Sequence, residues 1–129
     1  LKIASKQAED AANLLAGSNK NLKSYQEKLE QMKQYRNEYA KNTESMSAGM
    51  LRDKQNFIQQ IDQAIELLEQ QIQRQHKTVS KDQENWLQAK YKTDAYDKVI
   101  EKFEVAEKQI NDEREQREID DQVCKLKSN

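Results

Sequence analysis

Asn42-Thr43-Glu44-Ser45-Met46-Ser47-Ala48-Gly49 is the one stretch of this 129-residue chain in which turn and cap residues cluster. What flanks it decides the fold. On the N-terminal side, positions spaced alternately three and four apart read Leu1, Ala4, Ala8, Ala11, Leu15, Ser18, Leu22, Tyr25, Leu29, Met32, Arg36 and Tyr39. All but Ser18 and Arg36 are Ala, Leu, Met or Tyr, which is the seam of a heptad repeat. On the C-terminal side the same spacing resumes as Ile58, Ile61, Ile65, Leu68, Ile72, Gln75, Val79, Asp82, Trp86, Ala89, Thr93, Tyr96, Ile100 and Phe103, with Ile110 in phase. Two helices joined by so short a connection must run in opposite directions. The expected fold is all-α, a long two-helix antiparallel coiled coil in a single domain over 1–129: helix one about 1–42, a turn about 43–50, helix two about 51–120 and a frayed tail 121–129. Ser45 or Ser47 supplies the cap of the second helix by accepting a bond from an orphan backbone N–H.

The bulk composition agrees. Hydrophobic residues make up 35% and charged residues 35%, there are two glycines and no proline, and the mean hydropathy is −1.20. That is too little apolar material for a globular core, and too few turn residues for a sandwich or barrel. Lys, Glu, Gln and Ala, all good helix formers, dominate the remainder. Twenty-two basic residues against twenty-three acidic ones, with a pI near 6.0, exclude the basic footprint of a nucleic-acid binder. No apolar run approaches the roughly 18–20 residues of a membrane span, and no signal segment opens the chain. The chain reads as soluble and cytoplasmic. It begins at Leu1 in mid-pattern, so further residues are expected upstream. Cys124, alone in a polar tail, reads as an exposed thiol in a reducing compartment.

Folding the chain about a midpoint between residues 45 and 48 sets Trp86 opposite Ala4, Ala8 or Ala11, the part of the first seam made of small side chains. The polar seam residues Ser18, Arg36, Gln75 and Asp82 reduce stability and help to fix register. Helix one covers helix two only to about Thr93, yet Tyr96, Ile100, Phe103 and Ile110 continue the apolar stripe. Burying each such side chain is worth roughly 1.5–3 kcal/mol, so something must cover them: upstream residues in part, a binding partner for the rest. Beyond Ile110 the segment 111–122 is mostly charged, and the helix there frays or stands as a solvated arm. Near the turn, Tyr35, Phe57, Ala64 and Leu67 lie beside the seam. With Met32, Tyr39, Ile61 and Leu68 they widen the apolar surface beyond what two helices bury, and aromatics and Met are the types enriched at protein interfaces.

No chemistry accompanies this surface. A two-helix hairpin has no water-excluding interior for convergent catalytic groups. His76, the sole histidine, falls one place past the seam on the outer face. Carboxylate neighbours such as Glu9-Asp10 and Asp120-Asp121 diverge on a helix and build no metal site. Gly17 and Gly49 are too far apart for a phosphate loop. The expectation is a protein that is not an enzyme and takes no cofactor, metal, nucleic acid or small-molecule ligand.

Three segments carry a resemblance: Glu9-Asp10-Ala11-Ala12-Asn13-Leu14-Leu15; Tyr35-Arg36-Asn37-Glu38-Tyr39; and Gln55 to Glu66, reading QNFIQQIDQAIE, with Trp86 downstream. Together the chain resembles the flagellar FliJ family from near Glu9 to Trp86, and more loosely to its end. The resemblance implies a cytoplasmic component of the flagellar type III export apparatus, peripherally associated with the inner membrane. It implies an antiparallel coiled coil similar to the stalk subunit of rotary ATPases, whose partners are a hexameric export ATPase, the cytoplasmic part of the membrane export gate, and export chaperones. The family's gate-contact positions fall on Met32, Tyr35, Tyr39, Phe57, Ile61, Ala64 and Leu68. Lys28 stands where the family pattern has Gln, and Leu68 where it has His. The end carrying both termini is the part that enters the ATPase ring, which assigns Tyr96, Ile100, Phe103 and Ile110 to that contact. Two other readings compete: an injectisome stalk protein of virulence-type secretion, and a segment of a structural coiled-coil scaffold. A scaffold segment would keep its seam to pairing needs, without extra aromatics at one turn.

Overall fold

The computed structural model describes residues 2–41 and 43–127. Leu1, expected to open the first seam, and Asn42, expected to open the turn, lie outside the described residues, as do Ser128 and Asn129. Two long helices packed against each other make up the structure: α1, Lys2–Tyr39, and α2, Ala48–Lys127. Among the described residues there is no strand. The all-α hairpin expected from the two seams is the observed fold.

The connection lies a few residues earlier than expected. The end of α1 tightens through backbone bonds from Ala40 N to the Arg36 carbonyl at 3.0 Å and from Lys41 N to the Glu38 carbonyl at 3.2 Å, the usual way a last turn satisfies its orphan groups. Ser47, not Ser45, caps α2: its hydroxyl accepts from Met50 N at 3.2 Å while its carbonyl accepts from Leu51 N at 3.0 Å. Ala48, Gly49 and Met50 therefore form the first turn of the helix rather than the end of a loop. At the other end α2 is helical through Lys127, so residues 121–127 form helix and not a frayed tail. Charges four apart explain the difference: Glu113 precedes Arg117 and Asp121 precedes Lys125 at the favourable spacing, and Gln116 donates to Asp120 at 3.2 Å.

Burial follows the two seams. Ala4, Ser18, Ile61 and Ile72 are buried, and Ala8, Ala11, Leu15, Leu22, Tyr25, Leu29, Met32, Ile58, Ile65, Leu68, Val79, Trp86 and Ala89 are half-buried. Three of the four polar seam residues meet in one layer. The Ser18 hydroxyl donates to the Asp82 carboxylate, and Gln75 Nε2 donates to the Ser18 carbonyl at 3.0 Å. Ser18 is thus bracketed by Gln75 and Asp82 and sits across from Val79. The same register sets Trp86 level with Ala11 one heptad along, and at the end of the paired region Thr93 Oγ1 donates to the Ala4 carbonyl at 3.1 Å. Past Thr93 the cover thins, and every described residue from Glu101 to Lys127 is exposed. At 1.5 Å per residue the 38 residues of α1 span roughly 57 Å and the 80 of α2 roughly 120 Å. The longer helix outruns the shorter by many turns.

Candidate partner-binding surfaces

At the hairpin end, Tyr35 and Tyr39 lie four apart on one face of α1 and Phe57 on the adjoining face of α2. The rings form a short chain. Tyr39 is stacked with Tyr35 at 6.2 Å between centroids and 26° between planes, and tilted against Phe57 at 4.8 Å and 57°. Aromatic pairs at such offsets gain about 0.5–1.5 kcal/mol beyond the area they bury. All three rings nevertheless keep a large exposed face: Tyr35 is 49% accessible and Phe57 38%. Beside them Met32, Tyr35, Ala64, Leu67 and Leu68 line a shallow apolar groove with Lys28 at its rim.

Seven side chains were expected at this surface. Tyr35, Tyr39 and Phe57 are exposed, and Met32, Ala64 and Leu68 are half-buried along the groove. Ile61 is different: only 6% accessible, it lies in the seam beneath the patch and supports the residues above it.

The sequence reading missed Lys54. Counting the α2 seam back from Ile58 by four and then three reaches Lys54 and Leu51, and that phase was the available signal. Lys54 is 7% accessible. Its ammonium donates to the Lys41 carbonyl at 2.7 Å and lies 5.4 Å from the centre of the Tyr39 ring. A cation placed where α1 leaves carbonyls unpaired complements the negative end of that helix. It also fixes one face of Tyr39.

Two ion pairs tie the helices on the same side of the Ser18 layer. Arg36 meets Asp62 through two hydrogen bonds, from Nε to Oδ1 and from the terminal nitrogen to Oδ2, the latter at 3.2 Å. Lys33 lies 3.8 Å from Glu69. The hydrogen bond from Arg36, with its positive charge, holds the Asp62 carboxyl below its ordinary range, and the same bond holds Arg36 above its own. Arg36 therefore occupies its seam position with its charge answered from α2.

At the far end, Tyr96, Phe103 and Ile110 are exposed on α2 alone, Phe103 at 71%, while Ile100 is half-buried. Val99 and Ala106 flank them and widen the stripe. Ile119, Val123 and Leu126 add exposed apolar groups within the charged arm, and their spacing of four and three marks a second short stripe. Reading 111–122 for its charge alone passed over it. His76 and Cys124 are exposed, and among the described residues no cluster of His, Cys, Asp or Glu is arranged to hold a metal ion. No helix of the described residues is long and apolar enough to cross a membrane.

Compared with known families, residues 1–126 match the description "Flagellar FliJ protein". The chain belongs to the flagellar FliJ family. It is similar to the flagellar FliJ protein of Escherichia coli (strain K12), at 29% identity over 124 residues that cover 92% of this chain and 84% of that protein. No solved structure matches it. FliJ membership accounts for nearly the whole chain, the hairpin and the charged arm alike, and makes it a flagellar protein.

Proposed function

We propose that the chain is a non-enzymatic stalk of the flagellar type III export apparatus, working in the cytoplasm at the inner-membrane export machinery. The C-terminal part of α2 docks in a hexameric export ATPase through Tyr96, Ile100, Phe103 and Ile110. The hairpin end engages the cytoplasmic part of the membrane export gate through Met32, Tyr35, Tyr39, Phe57, Ala64 and Leu68 over the supporting Ile61. Empty export chaperones are a third class of partner.

The observation that carries this reading is the separation of two apolar surfaces on one molecule. The aromatic patch lies at the hairpin tip, and the bare stripe lies beyond Thr93, roughly 60–80 Å further along α2 at about 1.5 Å per residue. A soluble chain keeps such surfaces only where partners cover them. Linking two assemblies at a fixed distance asks for rigidity and end-specific contacts, and for no reactive groups.

Two measurements test it. Truncation after Phe103, which removes Ile110 and the charged arm, should abolish stimulation of the export ATPase, and full stimulation by the truncated chain would refute a ring contact through Ile110 and the arm. A Tyr35→Ala, Phe57→Ala variant should lose affinity for the gate's cytoplasmic part while keeping its helical content; unchanged binding would refute the gate contact.

A further inference from the structure

The hairpin is fastened unevenly about the Ser18 layer. On the turn side lie the ion pairs Arg36–Asp62 and Lys33–Glu69, the Lys54 cap on Lys41, the Tyr35–Tyr39–Phe57 rings, and the buried Ile61 and Ile72. On the other side α1 offers the seam Ala4, Ala8, Ala11 and Leu15, three of them single methyl groups, of which Ala4 alone is buried. A methyl removes far less apolar area from water than a leucine or isoleucine does.

The polar tie on that side is also easily exchanged. Thr93 Oγ1 lies 3.1 Å from the Ala4 carbonyl and 3.0 Å from the Ala89 carbonyl of its own helix. When Ala4 leaves, the hydroxyl keeps an acceptor, so no donor is stranded. Next to Ser18 stands Gly17, an interior helical glycine with nothing within 4 Å of where a Cβ would be. Glycine there is not required by close packing, and it weakens the helix at that point. Finally, α2 does not depend on α1 to stay helical, since 101–127 is helix with no cover at all.

We propose that residues 2–17 of α1 form an arm that opens about Gly17 while the rest of the hairpin stays closed, the Ser18–Gln75–Asp82 layer acting as the stop. Opening bares Trp86 and Ala89. Across Thr93 these residues adjoin the stripe of Tyr96, Ile100, Phe103 and Ile110, so the amount of apolar surface on α2 is set by the position of the arm. Closed and open forms differ as a local unfolding unit differs from the global state.

Amide hydrogen exchange on the full chain tests this, together with acrylamide quenching of Trp86, the sole tryptophan. Amides of 6–16 should exchange at a common rate at least about tenfold faster than those of 22–36, with a step at Ser18. Gly17→Ala should slow the arm about fivefold, the factor equivalent to the roughly 1 kcal/mol by which alanine exceeds glycine in a helix interior, and should reduce quenching in parallel. A smooth gradient from the N-terminus would mean simple fraying. One rate along all of α1, or an arm and a Trp86 indifferent to Gly17→Ala, would equally overturn the proposal.

Discussion

The ammonium of Lys54, in the second turn of α2, donates to the backbone carbonyl of Lys41, just past the last turn of α1, at 2.7 Å. The contact closes the hairpin at its most demanding point, where a helix end leaves carbonyls without partners. Lys54→Met keeps the aliphatic stem and removes the cation. The variant should lose about 1.5–3 kcal/mol of stability, the range for a hydrogen bond to a charged group. Urea unfolding followed by circular dichroism measures the loss. A Met variant as stable as the parent would show that the stem alone holds the turn.

Tyr39 and Phe57 belong to different helices, and their rings approach to 4.8 Å. A double-mutant cycle with alanine at both positions should return a coupling of about 0.5–1.5 kcal/mol. Tyr35, half exposed and with its ring stacked on that of its own helix-mate Tyr39, should cost less to remove than either.

The Ser18–Gln75–Asp82 layer places three polar groups in an otherwise apolar seam. Replacing Ser18 by Val and Asp82 by Leu should raise the melting temperature, because a partly desolvated carboxylate is exchanged for packing. Register should loosen at the same time, since a polar layer penalises slipped pairings that a uniform apolar seam tolerates. Distances between spin labels on α1 and α2 would report it as a broadened distribution.

Asp62 has its carboxyl held down by Arg36. A group whose folded value is depressed stabilises the fold above its unfolded value, and that contribution disappears as the pH falls through the folded one. Asp62→Asn should therefore flatten the fall in stability on the acid side of about pH 4, where aspartate ordinarily titrates, and change little in the slope near neutrality. Unfolding curves at stepped pH, parent against variant, give the comparison.

The described residues that truncation after Phe103 removes, 104–127, are all exposed. The hairpin should then unfold with a free energy within about 0.5 kcal/mol of the full chain, as surface changes generally do. That equality is what allows a lost ATPase response to be attributed to a lost contact.

Periodicity made the seam residues legible because alternation of three and four is the geometry of burial itself: Ile61 and Ile72 are buried where the heptad puts them. The turn-end patch could be read too, since Tyr35 and Phe57 exceed what the seam needs. Lys54 could not, because its role depends on where the end of α1 falls, a fact of tertiary geometry and not of hydropathy. The arm beyond residue 120 was misjudged for another reason. Charge density suggests solvation, but helicity there depends on spacing, as Gln116 and Asp120 illustrate. The pairing of Arg36 with Asp62 likewise had no signature beyond complementary charge, and the choice among Ala4, Ala8 and Ala11 for Trp86 awaited the bonds that bracket Ser18.

The loss of cover past Ile100 has a mechanical meaning. Two helices side by side resist bending far more than one, so compliance is concentrated in the last third of α2, where one helix alone bears any load. Torque applied at the tip would first flex this spring and only then turn the doubled shaft behind it.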